Sequence, residues 1–268
     1  MLTTRFVTGS LTWTDVGTPD IDRANGFYGG VFGWASESAG EDFGGYVTYR
    51  SDGQSVAGGM QVPEADAPPA WSLYFRTPDI EATAKAVEQA GGTVVLEPVD
   101  VGELGRMAVF TDPTGAGFSA WQAGQMQGFE AVQRPGSLCW AELYTSDVAA
   151  ASAFYSKALG LQTFEVPFPG GTYTTLYPEG TDAESMLGGV VSKEIDPLEA
   201  EGPSHWLPYF EVADCDAAAA KAGELGGSVG MPPKDLQDVG RIAKLTDPFG
   251  ARFAVMRPAP RQGGEGES

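Results

Sequence analysis

Two short stretches place an indole and a carboxylate two residues apart: Trp13 and Asp15 in LTWTDV, and Trp140 and Glu142 in LCWAEL. Both read as β-strands, in which alternate side chains share a face, so each tryptophan stands beside its acid. An indole wall stacks flat or cationic molecules at about 0.5 to 2 kcal/mol per contact, and a neighbouring carboxylate selects positive charge. The same acid, desolvated against the indole, could instead serve as a general acid or base. A purely structural alternative makes the tryptophans core residues and pairs the acids with Arg106 and Arg241 of a repeated GR motif. Ser119 and Trp121 form a further same-face pair, and Tyr46 and Tyr173 are additional wall candidates.

The rest of the reactive inventory is sparse. His205, the only histidine, precedes Trp206 and reads as a packed, hydrogen-bonded strand-edge residue rather than a proton carrier. Cys139 and Cys215 are far apart, without CxxC spacing, and read as inert thiols. The glycine pairs at 58-59 and 188-189 would let a ligand approach the backbone, or mark bulges. The GxG-like runs do not join a strand to a helix, which excludes a dinucleotide site.

The elements that position these residues come from an internal repeat. WTDVGTPDIDRANGFYGGVFG from Trp13 aligns with WAELYTSDVAAASAFYSKALG from Trp140 at an offset of 140 − 13 = 127. WSLYFRTPDIEATAKAVEQAGGTV from Trp71 aligns with WLPYFEVADCDAAAAKAGELGGSV from Trp206 at 206 − 71 = 135. About eight extra residues in the second copy are therefore expected, most naturally in the loop Val191 to Pro203. Each copy holds two units in which a strand leads into a helix and then further strands, giving β-α-β-β-β four times. Thr18-Pro19, Thr77-Pro78 and Ser146-Asp147 are expected to cap the helices through a hydroxyl, with Ala213-Asp214 capped less conventionally. Gly33, Gly91, Gly160 and Gly226 end them.

Composition agrees with two globular α+β domains, expected over residues 1–126 and 127–258, with 259–268 as a disordered tail. Of 268 residues, 42% are apolar, enough for a core in each half. A balance of 16 basic against 36 acidic residues gives −20, which repels nucleic acid and anionic membranes; it would attract cations, but acids spread along the whole chain read first as a solvated surface. No run of about 20 apolar residues could span a membrane, and MLTTRFVTGS lacks a signal-peptide core, so the expected location is the cytoplasm.

The four units, the TPD/TSD helix entries followed by FY, the GG(T/S)V segments and the DPxGAxF runs at Asp112 to Phe118 and Asp247 to Phe253 resemble the vicinal oxygen chelate superfamily. That family includes glyoxalase I, extradiol dioxygenases and bleomycin-resistance proteins. The chain resembles in particular its tandem actinobacterial members, often labelled hydroxylases. The resemblance implies two glyoxalase-like open β-barrel cups, within a monomer of pseudo-twofold symmetry or a homodimer. Carried over residue by residue, the family's metal positions fall on Trp13, Ser72, Trp140 and Leu207 on first strands, and on Ser119 and Ala254 after DPxG. None has a nitrogen, thiolate or carboxylate donor. With those positions facing the cavity, Trp13, Asp15, Tyr46, Ser119, Trp121, Trp140, Glu142 and Tyr173 are the candidate ligand-binding residues. No metal and no cofactor is expected. The leading expectation is a metal-free binding protein for a small hydrophobic or cationic natural product, of the bleomycin-resistance type. A metal-independent enzyme using a cup carboxylate, and a scaffold with closed cups, are the alternatives.

Overall fold

A computed structural model describes residues 1–63, 67–168, 171–182 and 185–260; most of the expected tail, 261–268, lies outside them. The first copy runs β1 (Leu11–Thr18), α1 (Ile21–Phe32), β2 (Ala35–Ser38), β3 (Val47–Ser51), β4 (Gln54–Gln61), β5 (Ala70–Arg76), α2 (Ile80–Gln89), β6 (Thr93–Val101), β7 (Gly105–Thr111) and β8 (Gly117–Ala123). The second repeats it with β9 (Leu138–Thr145), α3 (Val148–Leu159), β10 (Leu161–Phe168), β11 (Gly171–Pro178), β12 (Gly188–Ser192), β13 (His205–Glu211), α4 (Cys215–Glu224), β14 (Ser228–Leu236), β15 (Gly240–Thr246) and β16 (Arg252–Pro258). The strands form two eight-stranded sheets, β2-β3-β4-β1-β5-β8-β7-β6 and β10-β11-β12-β9-β13-β16-β15-β14. The two units of each copy therefore share a sheet, joined antiparallel through β1 with β5 and β9 with β13. Each sheet curls into an open cup centred on that join.

Among the described residues, all four α-helices start on an aspartate, which corrects the hydroxyl caps expected at Thr18, Thr77 and Ser146. Asp20, Asp79, Asp147 and Asp214 are extended, and their carboxylates accept from the backbone N–H groups of Arg23, Ala82, Ala150 and Ala217. The carboxylate satisfies an orphan donor and also faces the positive end of the helix dipole. The fourth entry is thus as conventional as the others.

The eight extra residues of the second copy also distribute differently from expectation. Asp15 pairs with Gly58 and Glu142 with Gly189, an offset of 189 − 58 = 131. Four residues therefore enter the β11–β12 connection, and the remaining four enter the 193–204 loop.

The backs of the two sheets and the helices share one core. Helix α1 lies beside α4, and α2 beside α3. The tyrosines of the FY pairs sit in this core. The Tyr28 hydroxyl donates to Asp247 Oδ2 across the copies at 3.0 Å, and Trp206 Nε1 donates to the Tyr155 hydroxyl at 2.8 Å. Trp71 and Trp206 pack edge-on against Tyr28 and Tyr155, so this repeated tryptophan pair belongs to the core. The DPxGA signature is a turn cap: Asp112 Oδ1 accepts from the N–H groups of Thr114 and Ala116, and Asp247 Oδ1 from those of Phe249, Gly250 and Ala251.

Candidate functional site

The two cups carry equivalent polar centres on their join strands. In the first, Trp13 Nε1 donates to the Tyr46 hydroxyl at 2.7 Å. Tyr46 and Tyr74 both donate to Asp15 Oδ2, at 3.1 and 2.9 Å. Burial raises the Asp15 carboxyl from 3.8 to about 6, against the lowering effect of the hydrogen bonds from Tyr74 and Tyr46. Burial, and then the charge of Asp15, push both phenols well above their usual range. The candidates Trp13, Asp15, Ser119 and Trp121 are 4, 4, 1 and 6% exposed, so this cup is filled. Trp121 occupies it, with its Nε1 donating to Met126 O at 2.9 Å. The linker to the second copy helps to cover it: Gly124 and Met126 donate to Leu104 O, and Phe129 packs 5.4 Å from Trp13.

In the second cup, Trp140 Nε1 donates to the Tyr173 hydroxyl at 3.0 Å. Glu142 accepts from Tyr173 on Oε1 at 2.8 Å, and from Tyr144 and Tyr209 on Oε2 at 2.6 and 2.5 Å. A carboxylate has about four lone-pair positions, so Oε1 keeps one for a ligand donor. Burial first, and then the Glu142 charge, push Tyr144, Tyr173 and Tyr209 well above the usual phenol range, so all three remain donors. Trp140, Glu142 and Tyr173 are only half-buried. Tyr144, Leu207, Tyr209, Ile242, Ala254 and Met256 floor an apolar cluster separate from the main core, with partly buried Met231, Leu236 and Val239 against it. Met256 stands where the first cup has Trp121, at 256 − 121 = 135.

Register explains the matching geometry. Trp13, Tyr74, Ser119 and Val109 form one row across four strands, and Trp140, Tyr209, Ala254 and Lys244 form the equivalent row. The structure thus unites Trp13, Asp15, Tyr46 and Ser119 with Trp121, and separately Trp140, Glu142 and Tyr173. Tyr74, Tyr209, Tyr144 and Lys244 had not been singled out. Tyr74 and Tyr209 had a usable signal, because WSLYF and WLPYF share the tyrosine two residues after the family ligand position.

Neither acid meets the GR arginines, so the pairing of the acids with Arg106 and Arg241 is not formed. Arg106 pairs with Glu81 and Asp100, and Arg241 with Asp216 and Asp235, on the surface. His205 does pack at a strand edge, stacked on Tyr144 at 5.6 Å with Nε2 2.8 Å from Glu199 Oε2. Cys139 and Cys215 are buried free thiols. Cavities of about 410 and 370 Å3 lie against the N-terminal segment and at the β14–β15 turn; neither is lined by Asp15 or Glu142.

The donor sets do not fit a divalent metal. Trp13, Ser72 and Ser119 in one cup, and Trp140, Leu207 and Ala254 in the other, supply at most a hydroxyl, and each nearby carboxylate is already held by phenols. Among the described residues, no three or more His, Cys, Asp or Glu side chains gather as a metal site.

A sequence profile of the Glyoxalase/Bleomycin resistance protein/Dioxygenase superfamily matches residues 10–119 and 137–255, and the chain belongs to that superfamily. Among its relatives is the anthracycline biosynthesis protein DnrV of Streptomyces peucetius, 40% identical over 268 residues and 94% of each chain. Another is the putative glyoxylase CFP32 of Mycobacterium tuberculosis (strain CDC 1551 / Oshkosh), 38% identical over 259 residues, 95% of this chain and 97% of that one. The 2,3-dioxygenase LapB from Pseudomonas sp. KL28 superposes with a TM-score of 0.63 at 15% identity, covering 95% of this chain and 94% of its own. The Mn(II)-bound glyoxalase from Novosphingobium aromaticivorans gives 0.60 at 15% identity, covering 94% and 88%. At that identity the likeness is one of fold.

Proposed function

We propose that the chain is a metal-independent small-molecule-binding protein whose second cup takes a flat aromatic cation. The observation that carries this reading is Glu142, held by three phenol donors beside the half-buried Trp140, with one lone-pair position open and an apolar, methionine-containing wall around it. The indole supplies a stacking face and the carboxylate an ionic hydrogen bond. Methionine side chains adapt to ligand shape. The net charge of −20 draws a cation in. The name of DnrV, an anthracycline biosynthesis protein, favours a polycyclic aromatic ligand bearing an amine. Titration with an anthracycline amino-glycoside and with its neutral aglycone tests the reading: the amine-bearing form should bind about 10-fold or more tightly, unchanged by chelator. Equal affinity for the two forms would remove Glu142 from the account.

A second reading, a metal-independent enzyme, is favoured by one observation: Asp15 sits at about 6, suited to proton transfer near neutral pH. Its enclosure behind Trp121 and the linker weighs against it. Ligand chemically altered by purified protein in chelator would establish turnover; ligand recovered intact would exclude it for that compound.

A further inference from the structure

Behind Glu142 lies a buried charge cluster that the first copy lacks. Lys244, 6% exposed, rises from β15 in the row that contains Trp140 and Tyr209. Its Nζ donates to Asp196 Oδ2 at 2.6 Å, Glu199 Oε1 at 2.9 Å and the Tyr144 hydroxyl at 2.9 Å, which uses all three ammonium protons. Asp196 and Glu199 lie in the 193–204 loop, the segment lengthened in this copy. Burial alone would raise Glu199, but hydrogen bonds from His205 and Lys244 and the charges of Lys244 and Arg252 outweigh it and hold the carboxyl down at about 2. Glu199 is therefore held as a carboxylate in the neutral range.

An ammonium donates and does not accept. The Tyr144 oxygen, accepting a hydrogen bond from Lys244, must aim its own O–H elsewhere, and Glu142 Oε2 lies 2.6 Å away. The Tyr144 ring is fixed as well, with Nζ 4.2 Å from its centroid and His205 stacked on it. In the first copy Val109 replaces the lysine (244 − 135 = 109) and Gly17 the tyrosine (144 − 127 = 17), so Asp15 has no third phenol.

We infer that Lys244, anchored by Asp196 and Glu199 of the 193–204 loop, is a positioning residue that fixes Tyr144 as a donor to Glu142 and so sets the carboxylate's geometry for a cationic ligand. The inference rests on the binding reading above, and two measurements keep the two separable. The first is titration with acridine orange, a fluorescent flat cation. Lys244→Met and Tyr144→Phe should each weaken it about 10-fold, and the double variant no more than about 2-fold beyond either, because one acts through the other. Losses that multiply, or full affinity in folded Lys244→Met, would overturn the inference.

The second measurement needs no ligand. With tyrosine ring 13Cζ labelling, the resonance missing from Tyr144→Phe identifies Tyr144; it should move in Lys244→Met and return towards its place in Lys244→Arg. A resonance that stays put overturns the positioning role whatever the dye does. A resonance that moves, together with dye binding indifferent to Glu142→Gln, upholds the role and overturns only the binding reading. If Lys244→Met does not fold, Asp196→Asn removes one anchor at the half-buried edge, and a smaller shift of the same resonance is expected; no shift counts against the inference.

Discussion

The two cups descend from one pattern and have diverged in opposite directions. Both keep a tryptophan, a carboxylate and two phenols in the same hydrogen-bonded order: Trp13, Tyr46, Asp15 and Tyr74 in one, Trp140, Tyr173, Glu142 and Tyr209 in the other. The first is filled by Trp121 and covered by the linker, and its acid is pushed up to about 6 by burial. The second substitutes Met256 for the indole, adds a third phenol and a buried lysine behind its acid, and leaves the acid half-exposed. Keeping the polar centre while filling the cavity turns a site into a core. What separates the two cups is the exposure of the acid: Asp15 is buried, Glu142 only partly so.

The sharpest way to break this contrast is to remove each acid's charge in turn. Glu142→Gln should weaken acridine orange by about 100-fold, the scale of a lost charge-assisted hydrogen bond and ionic contact, whereas Asp15→Asn should change affinity by less than about 3-fold. Comparable losses from both substitutions, read by fluorescence titration, would make the cups equivalent after all.

The buried acid of the first cup should show itself in stability instead. Because the folded-state value of Asp15 lies above its ordinary 3.8, the native state holds the proton more tightly than the unfolded chain. Its favourable contribution is complete below about pH 4 and is lost as pH rises through about 6, a fall of up to about 3 kcal/mol. Urea unfolding at pH 4.5 and 7.5 should show that slope in the wild type and a shallower one in Asp15→Asn.

Exchanging the fillers tests the role of space directly. Trp121→Met should cost about 2 kcal/mol of unfolding free energy through the void it leaves, while Met256→Trp should weaken dye binding about 10-fold with little loss of stability. The smallest effect belongs to a region common to both copies: Tyr28→Phe should cost about 1.5 kcal/mol by breaking the inter-copy bond to Asp247 without altering either cup, measured by denaturant midpoint and dye affinity together.

Much of the fold was legible because the chain states it twice. Repeated FY, GG(T/S)V and DPxGA segments mark four units, and the structure shows why they recur: the tyrosines meet the other copy, and the aspartates cap turns. The candidate acids were legible through strand alternation, since a period of two puts Trp13 with Asp15 and Trp140 with Glu142 whatever surrounds them. The helix caps were misplaced by one or two residues because hydroxyl and carboxylate neighbours compete for the same N–H group, and local sequence does not say which side chain reaches it.

The sequence by itself determined the duplication, the strand periodicity, and the absence of metal donors at the family positions, because these depend only on residue identity and short spacing. Tertiary structure alone decided which units share a sheet, which tryptophans face the core, and which cup is filled. Those outcomes depend on contacts between residues far apart in the chain, such as Trp13 with Phe129 of the linker, or Lys244 with Tyr144 a hundred residues earlier. A buried lysine looks like any other lysine until its partners from a distant loop are brought to it.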